Sequence, residues 1–260
     1  GALATLSEKD LGETNFPYIK VESSLQAVKD IAEFYLKQLE IPVVGITGSV
    51  GKTSTTVRNR PGTDHRPRQR LRHRPAARLP ERKYNVLKTQ GNFNNELGLP
   101  LTVFGLRAEH QIAVLEMGIS DFGEMHRLAK IARPDTCVIT NIGLCHLEFL
   151  KSRDGILKAK TEIFDFLKED GHVILNGDDD KLVTVTDVKG IKPVFFGVEN
   201  KNGIWADEIE SRGLKGIECR IHVKDESFKV LVPIPTAYYF SQWKQGTCLI
   251  RLNYDILKSS

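Results

Sequence analysis

The apolar run IPVVGI at 41–46 passes straight into the turn Gly45-Ile46-Thr47-Gly48-Ser49-Val50-Gly51-Lys52-Thr53. A glycine-rich turn after a buried strand points successive backbone N–H groups into one concavity, which suits a phosphate. Lys52 would place a positive charge on the β and γ phosphates, and the Thr53 hydroxyl would ligate Mg²⁺. Gly48, Ser49, Val50, Gly51 and Ser54 complete this candidate nucleotide cradle. The spacing departs from the general GxxxxGK[ST] pattern, because Ile46 takes the place of the first glycine. A phosphate loop should also open a helix whose N-terminus faces the anion. Here Ser54, Thr55 and Thr56 lead toward Pro61, which limits any helix to about two turns.

Lys160 is the second residue with chemical promise. Ile156 lies four residues before it and Phe164 four after, so all three share a helical face, which Ile163 and Leu167 extend. Lysine is rarely buried without a partner. Desolvation lowers an amine's pKa, and its neutral form is a nucleophile. The alternative is a lysine that snorkels from the edge of the apolar face. Lys158 falls two residues away and faces elsewhere. Glu116 closes the strand-like segment QIAVLE (111–116), at the carboxyl edge where open α/β sheets place their sites. His146 follows the strand-like segment TCVITNI (136–142), where a lone histidine is more often structural.

These residues need a scaffold. Ser23 or Ser24 can cap a helix through Glu40, with Leu25, Val28, Ile31, Ala32, Tyr35, Leu36 and Leu39 on one face. Phe122, Met125, Leu128, Ala129 and Ala132 form another helical stripe. A helix is expected over about 154–168 and a strand at 172–176 (HVILN). From about Pro193 the chain turns strand-rich, with PVFFG, GIECRIHV and SFKVLVPI. Such alternation predicts an α/β fold, a doubly wound, mostly parallel sheet with helices on both faces.

Several ordered motifs carry a resemblance: TGSVGKTS, TQGNFNNELGLPLT (89–102), LEMGISDFGEM (115–125), ITNIGLCHLE (139–148), ILKAKTEIF (156–164) and ILNGDD (174–179). Together they resemble the ATP-dependent Mur ligases of bacterial cell-wall synthesis, over about 1–56 and 83–235. GNFNNELGLPLT and EMGISDFGEM look most like the members that join D-alanyl-D-alanine to a UDP-N-acetylmuramoyl-tripeptide. The resemblance implies a P-loop central domain, ATP and Mg²⁺. It also implies an amide synthesis in which ATP phosphorylates a carboxylate and the dipeptide amine displaces phosphate. It makes Thr53, Glu116 and His146 metal ligands, and Lys52, Lys160 and His146 catalytic, with Lys160 carbamylated by CO₂. It assigns Asn141 and Asn176 to the nucleotide, Asn176 at the adenine. Thr89, Asn92, Asn94 and Asn95 fall in the loop it assigns to the UDP-sugar-peptide, and their sequence does not choose among them. Asp178 and Asp179 fit a turn-ordering role. Other ligases of the superfamily, of the diaminopimelate-adding or folylpolyglutamate type, are the alternative reading.

Two segments break the pattern. Residues 57–82 hold nine of the sixteen arginines and four of the eleven prolines. Their nine arginines less Asp64 and Glu81 leave +7, so the other residues sum to −3 of the chain's +4. The basic balance therefore belongs to one segment. That segment reads as a frame error or an insertion, or alternatively as a basic arm for nucleic acid, which its lack of aromatic stacking groups disfavours. The tail at 236–260 is likewise off-pattern. The resemblance divides the chain into a remnant of a UDP-substrate domain (1–40), an ATP-binding domain (41–235) and the tail, without a C-terminal ligase domain. A polypeptide so divided is expected to bind nucleotide and to ligate little.

Apolar residues make up 40% of the 260, charged residues 27%, and no stretch of about 18 apolar residues occurs. With no secretory signal order at the N-terminus, a cytoplasmic monomer without membrane insertion is expected. The four cysteines, Cys137, Cys145, Cys219 and Cys248, are scattered and fit reduced thiols.

Overall fold

The computed structural model describes residues 2–49, 52 and 84–232. Val50, Gly51, Thr53, Ser54, the segment 57–82 and the tail 236–260 lie outside the described residues. The chain opens with β1 (Thr5–Ser7) and β2 (Tyr18–Lys20), which pair in parallel as a separate two-stranded sheet. Next come α1 (Ser24–Leu39), β3 (Val43–Thr47), β4 (Val86–Lys88), α2 (Gly98–Val103), β5 (Ile112–Glu116) and α3 (Glu124–Ala132). The strand β6 (Thr136–Ile139), helices α4 (Leu147–Leu150) and α5 (Arg153–Thr161), and strand β7 (His172–Asn176) come after these. The described part ends with β8 (Val194–Gly197), β9 (Ile204–Ser211), β10 (Ile217–Val223) and β11 (Glu226–Val232). No described helix is long and apolar enough to cross a membrane.

The main sheet runs β11-β10-β9-β8-β7-β6-β3-β5-β4. Every pairing from β4 to β9 is parallel, and β9, β10 and β11 form antiparallel hairpins. The chain leaves β3 toward β4 and β5 on one side, then crosses back to β6 on the other. Such a reversal opens a crevice beyond the carboxyl ends of the flanking strands, where ligands bind in open α/β sheets.

Burial follows strand position. All five residues of β3 are buried, as expected of an inner parallel strand. In β10, Ile217, Cys219, Ile221 and Val223 are buried and the residues between them are not. All five described helices contribute to one apolar cluster, through Ala32, Leu99, Leu128, Leu150 and Ile156 among others. The second cluster is built from strand residues such as Val44, Ile46, Val138, Ile174 and Phe196. The expectation of helices on both faces is thus met on one face among the described residues.

Local details correct the helix readings. Ser23 caps α1, its Oγ accepting from Gln26 N at 3.3 Å. Ala32 and Leu36 are buried, whereas Leu25 and Ile31 are exposed. Ile31 sits about 100° around the helix from Ala32, past the edge of the buried stripe. Phe122 is also exposed, because Gly123, with φ +75°, starts α3 only at Glu124. The helix expected to reach 168 ends as α-helix at Thr161. It tightens into a 3₁₀ turn over Glu162–Phe164, where Asp165 N donates to Glu162 O at 3.1 Å. Residues 1–40 are not wholly separate from the sheet that begins at β3, since α1 packs into the same apolar cluster.

Candidate active site at the carboxyl edge of the sheet

Three loops meet beyond the ends of β3, β5 and β6. Ser49 N donates to Asn141 O at 3.2 Å, and Ser49 Oγ accepts from Gly143 N at 2.9 Å. The turn after β3 is thereby stitched to the loop carrying His146. Lys52 Nζ donates to Gly48 O at 2.8 Å. Glu116, at the end of β5, is 1% exposed; its backbone N–H donates to Thr89 Oγ1 at 2.9 Å and its Oε1 accepts from Asn94 Nδ2 at 2.8 Å.

A cleft of about 590 Å³ opens among these loops. The β3 turn lines it with Gly48, Ser49 and Lys52, the loop before α2 with Asn94, Asn95, Glu96 and Leu97, and the loop after β5 with Gly118, Ile119 and Ser120. Leu25, Glu124, His146 and Lys160 complete the wall. His146 is exposed and takes a left-handed backbone, φ 61°, at the start of α4.

The electrostatics centre on two amines. Lys160 is 3% exposed. Burial, with a further push from the Lys52 charge, lowers its pKa to about 7. Burial also lowers the pKa of Lys52, partly offset by the Glu116 carboxylate. Two desolvated amines on one cleft wall favour an anion carrying more than one charge.

Residues 46–241 match the family model described as the Mur ligase middle domain. The chain belongs to the Mur ligase family. It is 44% identical over 165 residues to the UDP-N-acetylmuramoyl-tripeptide--D-alanyl-D-alanine ligase of Bacillus subtilis, covering 64% of this chain and 32% of that protein. Among solved structures, MurF from Acinetobacter baumannii superposes with a TM-score of 0.81 at 25% identity, covering 98% of this chain and 51% of that one. The MurF ligase from Thermotoga maritima, determined in complex with ADP, gives 0.80 at 28% identity, covering 98% and 55%. The chain spans about a third to a half of the length of the curated relatives it matches.

Of the residues singled out for this Mur ligase middle domain, Gly48, Ser49, Lys52, Asn94, Asn95, His146 and Lys160 line the cleft, with Glu116 held behind Asn94. Asn95 Oδ1 accepts from Leu97 N and Gly98 N and so caps the start of α2. Asn92 and the buried Thr89 are outside the lining, Thr89 lying behind Glu116. Asn141 accepts from Ser49 N through its backbone carbonyl. Asn176 is buried, its Nδ2 donating to Thr140 O at 3.0 Å and its Oδ1 accepting from Asp178 N at 2.9 Å. It ties the end of β7 to the end of β6. Asp179 orders more than its own turn: one oxygen accepts from Lys181 N and Leu182 N, the other from Ile142 N. Sequence reasoning does not place Glu96 or Glu124 at the site and reads Leu25 only as part of a helix face; the one signal for any of them was Glu96 standing directly after the two asparagines.

Among the described residues no three His, Cys, Asp or Glu side chains gather as a self-sufficient metal site. Mg²⁺ does not need one. It commonly takes one or two protein ligands and completes its shell with water and phosphate oxygens. A buried carboxylate at Glu116, beside amines that would hold phosphate, fits that pattern, and the imidazole at His146 would add a nitrogen donor to it.

Proposed function

We propose that this chain supplies the nucleotide-binding centre of an ATP-dependent amide ligase that adds D-alanyl-D-alanine to UDP-N-acetylmuramoyl-tripeptide. The observation that carries the reading is the convergence of Lys52 and Lys160 on one cleft with Glu116 and His146 beside them. A carboxylate oxygen of the tripeptide attacks the γ phosphorus and ADP leaves. The dipeptide amine then attacks the acyl carbon, loses a proton and expels phosphate.

Each residue has a physical task in this reaction. Lys52 and the backbone N–H groups after β3 take up charge on the β and γ phosphates. Lys160, with its pKa near 7, holds a large neutral fraction at neutral pH; its amine nitrogen can attack CO₂ and release a proton to solvent, leaving a carbamate with a negative charge. Glu116 and His146, with Thr53 outside the described residues, would hold Mg²⁺, which neutralises charge on the transferring phosphoryl group. Asn94 and Asn95 present amides to the sugar-peptide, and Asn141 and Asn176 support the nucleotide end. The protein is read as a cytoplasmic monomer.

The test has two arms. Calorimetry should show Mg²⁺-dependent ADP binding, and Lys52→Ala should weaken it at least tenfold. Phosphate release, expected to be slow in this chain, should require both the UDP-tripeptide and D-alanyl-D-alanine. Release driven by diaminopimelate or glutamate instead would move the chain to another branch of the superfamily, and absence of nucleotide binding would sink the reading.

A further inference from the structure

Glu96 sits between Asn95 and Leu97, in the loop that leads into α2. Its Oε1 accepts from Lys29 Nζ of α1 at 2.8 Å and from Arg127 Nε of α3. Lys29 is only 7% exposed, and a lysine at that depth requires an anionic partner. Burial opposes the charge on Glu96, but the hydrogen bonds from Arg127 and Lys29 outweigh it and hold the carboxyl below its usual range. One carboxylate therefore straps two helices to the loop.

The same loop reaches Glu116. Two residues before Glu96, Asn94 Nδ2 donates to Glu116 Oε1 at 2.8 Å. The Asn94 backbone is fixed on both sides: its N–H donates to Asn92 O at 2.8 Å and its carbonyl accepts from Gly118 N at 2.7 Å. A Cβ at Gly118 would lie 3.0 Å from Asn94 Cγ and Oδ1, so the loop after β5 is shaped around this amide. Asn94, Asn95 and Glu96 thus act in succession on Glu116, on the start of α2, and on α1 with α3.

We propose that Glu96 is a positioning residue of the site: its ion pairs with Lys29 and Arg127 hold the loop so that Asn94 orients the Glu116 carboxylate toward a divalent cation. The proposal rests on the reading of Glu116 as a magnesium ligand. Groups that orient a metal ligand from behind typically change metal affinity by about 10–100-fold when removed. Glu96 would do so one step further back, through the loop.

The experiment titrates Mg²⁺ into the full chain at fixed fluorescent ADP and reads the magnesium midpoint of nucleotide binding by anisotropy. Glu96→Gln preserves volume and removes the anion. It should raise the midpoint about tenfold while leaving ADP affinity at saturating Mg²⁺ within twofold. Asn94→Ala should shift the midpoint at least as far. A Glu96→Gln midpoint within twofold of wild type overturns the proposal, and a lowered melting temperature with an unchanged midpoint does the same by marking a purely structural strap. If Glu96→Gln does not fold, Lys29→Met probes the strap from α1, and an unchanged midpoint there is equally fatal. Nucleotide binding by the wild-type chain that ignores Mg²⁺ altogether removes the magnesium reading itself, an outcome distinct from failure of Glu96 alone.

Discussion

Lys52 and Lys160 bring two amines to the wall of one cleft, and the charge of the first adds to burial in holding the second near a pKa of 7. The usual lysine value is 10.5, so between about 7 and 10.5 the unfolded chain keeps a proton that the folded chain has released. Stability then rises with pH across that window, and the cost of burying the ammonium is fully present below about pH 7. Lys160→Met removes that cost. The variant should be more stable than wild type by on the order of 5 kcal/mol at pH 6, with the gain shrinking toward zero near pH 10.5. Urea denaturation at several pH values measures this, and a gain that does not vary with pH contradicts the burial of a titrating amine. The same variant should lose the slow phosphate release expected of this chain.

Gly48 lies against the end of β6. A Cβ there would sit 1.8 Å from Thr140 Oγ1, and its φ of +155° is one that side chains rarely adopt. Gly48→Ala should destabilise the fold by about 2 kcal/mol and weaken ADP binding at least tenfold, because the turn that presents Lys52 must move. Thermal melting and calorimetry report the two effects. Thr140→Ala in the same chain should recover part of the stability, since it removes the atom struck.

The peptide at Ile142 is clamped from both sides. Its N–H donates to Asp179 Oδ2 at 2.8 Å, and its carbonyl accepts from Arg153 Nε at 3.0 Å. Asp179→Ala leaves the amides of Ile142, Lys181 and Leu182 without this acceptor, so a loss of about 3 kcal/mol is expected. Hydrogen exchange in the loop bearing His146 should accelerate, and protection equal to wild type would show that the clamp is not what holds this loop. Arg153→Ala should cost less, about 1 kcal/mol, because its ion pair with Asp180 is exposed.

Much of this molecule was legible in order along the chain. The apolar face of Lys160 followed from residues four positions to either side, while burial rather than snorkelling of its amine came from the structure, and β3 and β7 followed from short apolar runs ending in turn residues. These are properties of neighbours within one helix or strand, and helical and strand periods report them directly. The errors lie at stripe edges, as with Leu25, Ile31 and Phe122, where the same period continues past the surface that actually covers it.

The local sequence determined strands such as β3 and β7, the helices short of their ends, and the apolar face that carries Lys160. It did not determine which of four polar residues would stand over Glu116, nor that Glu96 and Glu124 would share a wall with His146 and Lys160. Those decisions required β3 to pair with β5 on one side and β6 on the other, which joins loops far apart in the chain. They also required Gly118 to lack a Cβ where the Asn94 amide must pass. Strand order and side-chain clearance are long-range facts. A residue's type and spacing show what it could do, and only the pairing of distant segments shows which other side chain stands within a hydrogen bond's reach.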